Sequence, residues 1–261
     1  VKSLDRAILA NGQGGHPLPS VFPAFEQRKM LFRRGEVAMI AGQPGAGKSL
    51  LALWHATRWV KDFNLKGLYF SADSTPLVQA SRALAMTTFS NDVATAEYML
   101  ESEDSGSLET LYDNTKGLKW SFEPDITYDT MHEELLAFQE MWGESPDFMV
   151  VDNLTDVDGY GEDEWGGMRR VMKGLTSLAR TEYPFILVLH HTSEEYRDDP
   201  APPRKAIHGK VSQKPALVIT LGEGGGGHKY AAPVKNRSGP SDKSGRVAVD
   251  LSFNYSNMHF G

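Results

Sequence analysis

Residues 36–50 read EVAMIAGQPGAGKSL. A short apolar run passes into the glycines Gly42, Gly45 and Gly47, then into Lys48-Ser49, then into apolar residues at helical spacing. Strand, loop and helix follow in that order, and the loop decides the fold. Its glycines let backbone N–H groups converge on phosphate oxygens. Lys48 adds a point charge at the β- and γ-phosphates, and the Ser49 hydroxyl is placed to ligate Mg²⁺. The helix N-terminus contributes its own positive potential. The nucleotide-binding stretch is therefore expected to comprise Gly42, Gln43, Pro44, Gly45, Ala46, Gly47, Lys48, Ser49 and Leu50, with ATP and Mg²⁺ as cofactors. The bland alternative is a Gly-rich turn carrying a surface lysine. A strand before it and a helix after it weigh against that.

Outward from the loop, apolar runs alternate with helical patterns. Strands are expected over 36–41, 67–72, 147–152, 184–191, 215–221, 229–235 and 246–251, with a further one over 117–122. The first four are nearly continuous apolar runs, as strands covered on both faces require. Helices are expected over 49–62, 75–88, 92–102, 130–142 and 164–182. Such alternation predicts a parallel sheet with helices on both sides. After Pro215 the helical patterns stop, and Gly-rich turns between short strands predict an antiparallel extension. The reading is one α/β domain over 25–261. Residues 1–24, with Gly12, Gly14, Gly15 and three prolines after a short helix over 3–10, are expected to form an arm.

A phosphate loop needs a second acidic metal ligand at the end of an apolar strand. DFMVVD ends in Asp152, which fits that role beside Ser49. Hydrolysis also needs a carboxylate to orient or deprotonate water. Asp73, at the end of GLYFSAD, is the candidate, because neighbouring parallel strands put their C-terminal ends along one crevice. A helix-capping role for Asp73 is the even alternative. The strand PFILVLHHTS ends in His190 and His191, which alternation sends to opposite faces. One of them is expected to reach the γ-phosphate region as a sensor. Zinc is a poor alternative, since adjacent histidines on a strand diverge. In VKNRSGPS, Lys235 and Arg237 share one strand face. They are either a solvated edge or a finger for an adjacent subunit's γ-phosphate.

Bulk properties bound the rest. The 261 residues are 40% hydrophobic and 23% charged, as in an ordinary globular chain. No apolar run approaches the ~18 residues of a membrane span. The chain has no cysteine, which excludes disulfides and thiolate metal sites and suits a cytoplasmic location. The net charge of −7 speaks against broad nucleic-acid binding, yet charge is unevenly placed. Residues 140–164 hold nine acids and no Lys or Arg, whereas 201–246 hold nine Lys or Arg against Glu223 and Asp242. Solvated loops explain either segment alone. Together, opposite fields suit head-to-tail self-association.

The set GQPGAGKS, YFSAD, FMVVDN, LVLHHTS and VKNRSGP, in this order, resembles the RecA-like ATPase core of DnaB-type replicative helicases. It looks closest to single-domain plasmid RepA-type and phage helicase-like ATPases, and the likeness covers residues 25–255. The resemblance implies a RecA-like twisted, mostly parallel sheet. It also implies head-to-tail hexamers with ATP at subunit interfaces and single-stranded or forked DNA in the channel. Lys235 and Arg237 would act in trans, Asp152 as the Walker B carboxylate, Asp73 at the catalytic glutamate position, and His191 or His190 as sensor. DNA would be gripped by loops over 155–167 and 193–213. The second carries Arg204, Lys205 and Lys210, with Lys214 directly after it, a phosphate track if it is not simply a solvated loop. Two departures bear on a processive replicative role: Asp replaces Glu at 73, and the N-terminal domain that contacts primase is expected to be absent. A non-unwinding recombination or loader ATPase is one alternative function. A nuclease using Asp152, Asp156 and Asp158 with Glu162–Glu164 is another.

Overall fold

The computed structural model describes residues 14–88, 91–158 and 163–261; the helix expected over 3–10 lies outside the described residues. A short helix, α1 (Pro23–Gln27), leads to β1 (Val37–Gly42), whose six residues are all buried. Next come α2 (Lys48–Phe63), which stops at Asn64 in the left-handed conformation, and β2 (Gly67–Ser71). Three helices follow: α3 (Pro76–Thr88), α4 (Val93–Glu101) and α5 (Ser105–Thr115). Then come β3 (Leu118–Ser121), β4 (Ile126–Thr127), α6 (Tyr128–Trp142), β5 (Phe148–Asp152) and β6 (Val157–Asp158). The second half holds α7 (Glu164–Glu182), β7 (Phe185–His191), β8 (Leu217–Glu223), β9 (His228–Asn236), β10 (Val249–Asn254) and β11 (His259–Phe260).

Nine of these strands form one sheet in the order β11-β10-β9-β8-β1-β7-β5-β2-β3. The six from β8 to β3 are parallel, and β9, β10 and β11 extend them antiparallel. This is the expected architecture. Alternation along the strands divides the apolar side chains between two layers. One layer packs Ala38, Ile40, Phe148 and Leu187 against α2 and against Leu18, Phe22 and Phe32 from the segment ahead of β1. The other packs Met39, Met149, Val151 and Val188 against α6, α7 and the 201–211 loop. A third, small cluster joins Leu84 and Ala85 of α3 to Ala96 and Leu100 of α4.

Three departures from the sequence expectation have local causes. Helix α5 escapes a periodicity search because SGSLETLYDNT has few apolar residues; the Asp104 side chain starts it by accepting the Ser107 N–H at 2.8 Å. The last long strand begins at Val249 rather than 246, because the Asp242 carboxylate gathers the N–H groups of Ser244, Arg246 and Val247 into a turn. The two-residue strands β4 and β6 pair with each other and are too short for a pattern to reveal.

Candidate nucleotide site

Register brings the expected residues together. Gly42 at the end of β1 sits beside His191 of β7 on one side and Leu221 of β8 on the other. Asp152 closes β5 opposite Ser71 of β2, two residues before Asp73. The crevice along these five strand ends is where an open parallel sheet binds ligands.

Gly45 (φ +81°) and Gly47 (φ +92°) hold the loop in left-handed turns that side chains disfavour. Among the described residues no side chain caps α2, so the N–H groups at its N-terminus are left to a ligand. Lys48 is 6% exposed and folds back to donate to the Gln43 carbonyl at 3.0 Å. Burial lowers its ammonium to about 8, against the opposing pull of Asp152 and Asp73. The Gln43 side chain donates to the Ser193 carbonyl, tying the loop to the segment after β7.

The Ser49 hydroxyl donates to Asp152 Oδ1 at 3.1 Å, and the Tyr69 hydroxyl to Oδ2 at 3.0 Å. Burial, then the nearby Asp73, pushes the Asp152 carboxyl up to about 6; the two hydroxyls and Lys48 oppose this. A hydroxyl and a carboxylate side by side fit Mg²⁺, a hard cation that takes one or two protein oxygens and completes its shell with phosphates and water. Among the described residues no group of three or more His, Asp or Glu converges to hold a metal without such help. Of the carboxylates the nuclease reading needs, Glu162 lies outside the described residues.

The two histidines part as alternation requires. His190 is fully buried; its Nε2 faces the His208 carbonyl at 3.3 Å, and its Nδ1 has no partner among the described residues. His191 turns into the crevice. Its Nε2 lies 2.9 Å from Asn153 Nδ2 and its Nδ1 3.4 Å from Lys48 Nζ. The Asn153 amide oxygen is taken by the backbone N–H and hydroxyl of Thr155, so its NH₂ group faces the imidazole. Nε2 is then an acceptor, and the neutral ring carries its proton on Nδ1. Two donors, Lys48 Nζ–H and His191 Nδ1–H, thus meet at one point. An anionic oxygen is the acceptor they suit.

Asp73 is exposed at the mouth of this crevice, near enough to act electrostatically on Lys48, Asp152 and His191. It does not cap the next helix: the Thr75 hydroxyl accepts the Val78 N–H instead. Tyr69 and Asn153, which hold Asp152 and His191, were not singled out in the sequence. Their signal was present, Tyr69 two residues before Ser71 and Asn153 beside Asp152, but polar residues at strand ends are common. Lys229 is a further surprise: it is 1% exposed and paired with Glu223 at 3.1 Å, and its Nζ would lie 3.6 Å from a Cβ on Gly47.

Lys235 and Arg237 stand apart from this site. Asn236 pairs with Leu217 and the Arg237 N–H donates to the Ala216 carbonyl, at the start of β8. Gly42 lies beside Leu221, roughly 16 Å further along that strand at ~3.3 Å per residue. The Lys235 ammonium donates to the carbonyls of Ser212, Gln213 and Pro215. Burial, then Arg237 and Arg204, lowers it to about 8. Arg237 is exposed and acts on Glu36, at the other end of β1 from the phosphate loop.

Of the basic loop residues, Arg204, Lys205 and Lys210 line one groove, and Lys214 lies outside it. The loop expected over 155–167 lies partly outside the described residues.

Comparison with known proteins agrees with this geometry. One solved ATPase domain superposes with a TM-score of 0.83 at 16% identity, covering 100% of this chain and 98% of that one. A DnaB-like replicative helicase, solved in a study of its interactions with primase, gives 0.79 at 16%, over 100% of this chain and 67% of that one. The fold is therefore shared with these ATPase domains: a RecA-like, mostly parallel sheet flanked by helices. Among curated proteins, the Gene 65 protein of Mycobacterium phage L5 is 29% identical over 260 residues, spanning 95% of this chain and 94% of its own. The Gene 65 protein of Mycobacterium phage D29 is 29% identical over 229 residues, 83% of this chain and 95% of its own. The AAA domain model matches residues 25–197, from the segment before β1 through the crevice to the loop after β7. The chain belongs to the AAA domain family of ATPases, built on a RecA-like core.

Proposed function

We propose that the protein is a Mg²⁺-dependent ATP-hydrolysing motor that assembles head to tail into a hexameric ring and translocates on single-stranded DNA. The observation that carries this reading is the separation of Lys235 and Arg237 from the phosphate loop of their own chain. The cations with the right chemistry for a γ-phosphate stand at the wrong end of the sheet. In a head-to-tail assembly they meet the neighbour's loop. The acidic 140–164 and basic 201–246 segments supply complementary faces for such an assembly.

Within one site, Ser49 and Asp152 would hold Mg²⁺, which would offset the negative charge that develops on the phosphates. Backbone N–H groups of the loop and Lys48 hold the β- and γ-phosphates. His191 Nδ1–H donates to the γ-phosphate and registers whether it is present. Asp73 orients the attacking water from the crevice mouth, and a neighbour's Arg237 stabilises the departing charge.

The test is ATP turnover with and without oligothymidylate, followed by displacement of one strand from a forked duplex. Severalfold acceleration by the single strand, lost in Lys48→Ala, supports the motor. Turnover indifferent to DNA removes it. Acceleration without strand displacement replaces it with an ATP-switched loader.

A further inference from the structure

Strand β9 starts at the same end of the sheet as the phosphate loop. Leu221 of β8 pairs with Gly42 of β1 on one side and with Ala231 of β9 on the other. Two residues further along β8, Glu223 pairs with Lys229, which therefore overhangs the loop that follows Gly42. The Lys229 side chain runs up to the backbone of Gly47. A Cβ on that glycine would lie 3.5 Å from its Cε and 3.6 Å from its Nζ.

The surroundings of this ammonium do not account for a charge in such a place. Lys229 is 1% exposed, and lysines are almost never so buried unless paired. Among the described residues its ion-pair partner is Glu223 at 3.1 Å, whose own side chain is 45% exposed. A carboxylate half in water attracts weakly, whereas burying an ammonium is costly. The rings of Phe253 and Tyr255 lie 5.5 and 5.2 Å from the ammonium, and the Tyr255 hydroxyl donates to the same Glu223 oxygen. Helix α2 adds to the cost. Gly47 caps its N-terminus, the positive end, where acids stabilise a helix and cations do not. Lys48 already stands there. Three positive fields converge, and an anion is what reconciles them.

We propose that Lys229 is a second phosphate-binding lysine, which holds the α- and β-phosphates of its own chain's nucleotide, and that Glu223 competes with them for its ammonium. The inference rests on the ATP reading of the crevice and deepens it. Asp152 and His191, assigned to the γ-phosphate and its metal, come from β5 and β7, on one side of β1. Lys48 leans the same way, its Nζ 3.4 Å from His191 Nδ1. Lys229 arrives from the opposite side of β1, beyond β8, and so meets the part of the polyphosphate that precedes the γ-group. Rotation about the terminal bonds of its flexible stem carries the ammonium from Glu223 to a phosphate on the loop. The half-exposed carboxylate is then left to water. Lys235 and Arg237, later on the same strand, are offered to a neighbour; Lys229 serves its own chain.

The experiment is isothermal titration of the full chain with ADP and with the β,γ-imido analogue of ATP, both in Mg²⁺, comparing Lys229→Met and Glu223→Gln. Methionine keeps most of the side chain's shape and removes the charge. Loss of one charge-assisted hydrogen bond should weaken both ligands alike, by about tenfold to a hundredfold. Glu223→Gln removes the competitor and should tighten both severalfold. The melting temperature of Lys229→Met without nucleotide should not fall, because an apolar side chain replaces a buried charge. The opposite signs separate phosphate binding from a structural brace. If the pair only props the loop, both substitutions break it and both weaken binding, which overturns the proposal. Should Lys229→Met fail to fold, the sign in Glu223→Gln decides alone. A loss confined to the ATP analogue would give Lys229 to the γ-phosphate, and unchanged affinities would remove it from the site. Either result overturns the assignment while the nucleotide reading stands. If the unaltered protein binds neither ligand, the underlying reading fails.

Discussion

At the scale of single residues, the site is governed by side chains that hold other side chains. Asn153 is the clearest case. Pinned by Thr155, it donates to His191 Nε2 and so keeps the proton on Nδ1, which opens into the crevice beside Lys48. Asn153→Ala removes that constraint while leaving Lys48, Ser49 and Asp152 in place. Turnover should fall about fivefold, the effect of one neutral hydrogen bond of ~1 kcal/mol, with ATP affinity little changed. A second readout follows from the same bond. A donor to neutral imidazole disfavours its protonation, so the His191 pKa, held low by burial and by Lys48, should rise in the variant. Histidine NMR titration measures it. An unmoved His191 resonance would show that Asn153 does not set the tautomer. The phosphate loop and Asp152 were legible in sequence because their chemistry demands fixed residue types. Asn153 and Tyr69 were not, because their role exists only once two strand ends are adjacent.

At the scale of elements, α2 does two jobs: its N-terminus follows directly from the glycine loop at the crevice, and its apolar side anchors the sheet. His55, in its middle, is buried among Phe22, Phe25, Phe32 and Trp59, with Nδ1 facing the Leu51 carbonyl at 2.8 Å. Burial lowers its pKa from 6.5 to about 4. Between those values the unfolded chain binds a proton that the folded chain refuses. Stability is therefore whole above about pH 6.5, declines as pH falls toward about 4, and levels off below. From His55 alone the loss between pH 7 and pH 5 is about 2 kcal/mol. His190, also lowered to about 4, adds to the decline. Urea unfolding at pH 7 and pH 5 should show the fall, and His55→Phe should remove its share. An equal fall in His55→Phe would assign the acid sensitivity elsewhere. The helix itself was readable from its spacing; the aromatic cage was not, because its members come from residues 22–32, α2 and the strands β5 and β7.

At the scale of the whole molecule, strand order is what separates Lys235 and Arg237 from the phosphate loop of their own chain. β9 folds back antiparallel on β8, so Lys235 and Arg237 travel away from the crevice that β1, β5 and β7 open. If Arg237 serves a neighbour, subunits damaged at different halves should complement each other. Lys48→Ala and Arg237→Ala, each inactive alone, should regain part of the turnover when mixed, at interfaces pairing an intact loop with an intact finger. Turnover that stays absent after mixing, under conditions where size measurement shows mixed assemblies, would place Arg237 outside the reaction.

The sequence by itself determined the phosphate loop, the α/β alternation and the strand-end Asp152. These follow from local rules: glycine conformation, apolar periodicity and the residue types a phosphate site demands. It also named both histidines without deciding between them. Only the tertiary structure turned His191 into the crevice and buried His190, because the facing of a strand depends on what covers each side. The same holds for Lys235 and Arg237, recognisable as a pair but not as remote from their own site, since strand order is a property of the sheet. Lys229 belongs here too. No local pattern records that the start of β9, so far along the chain, lies beside the phosphate loop.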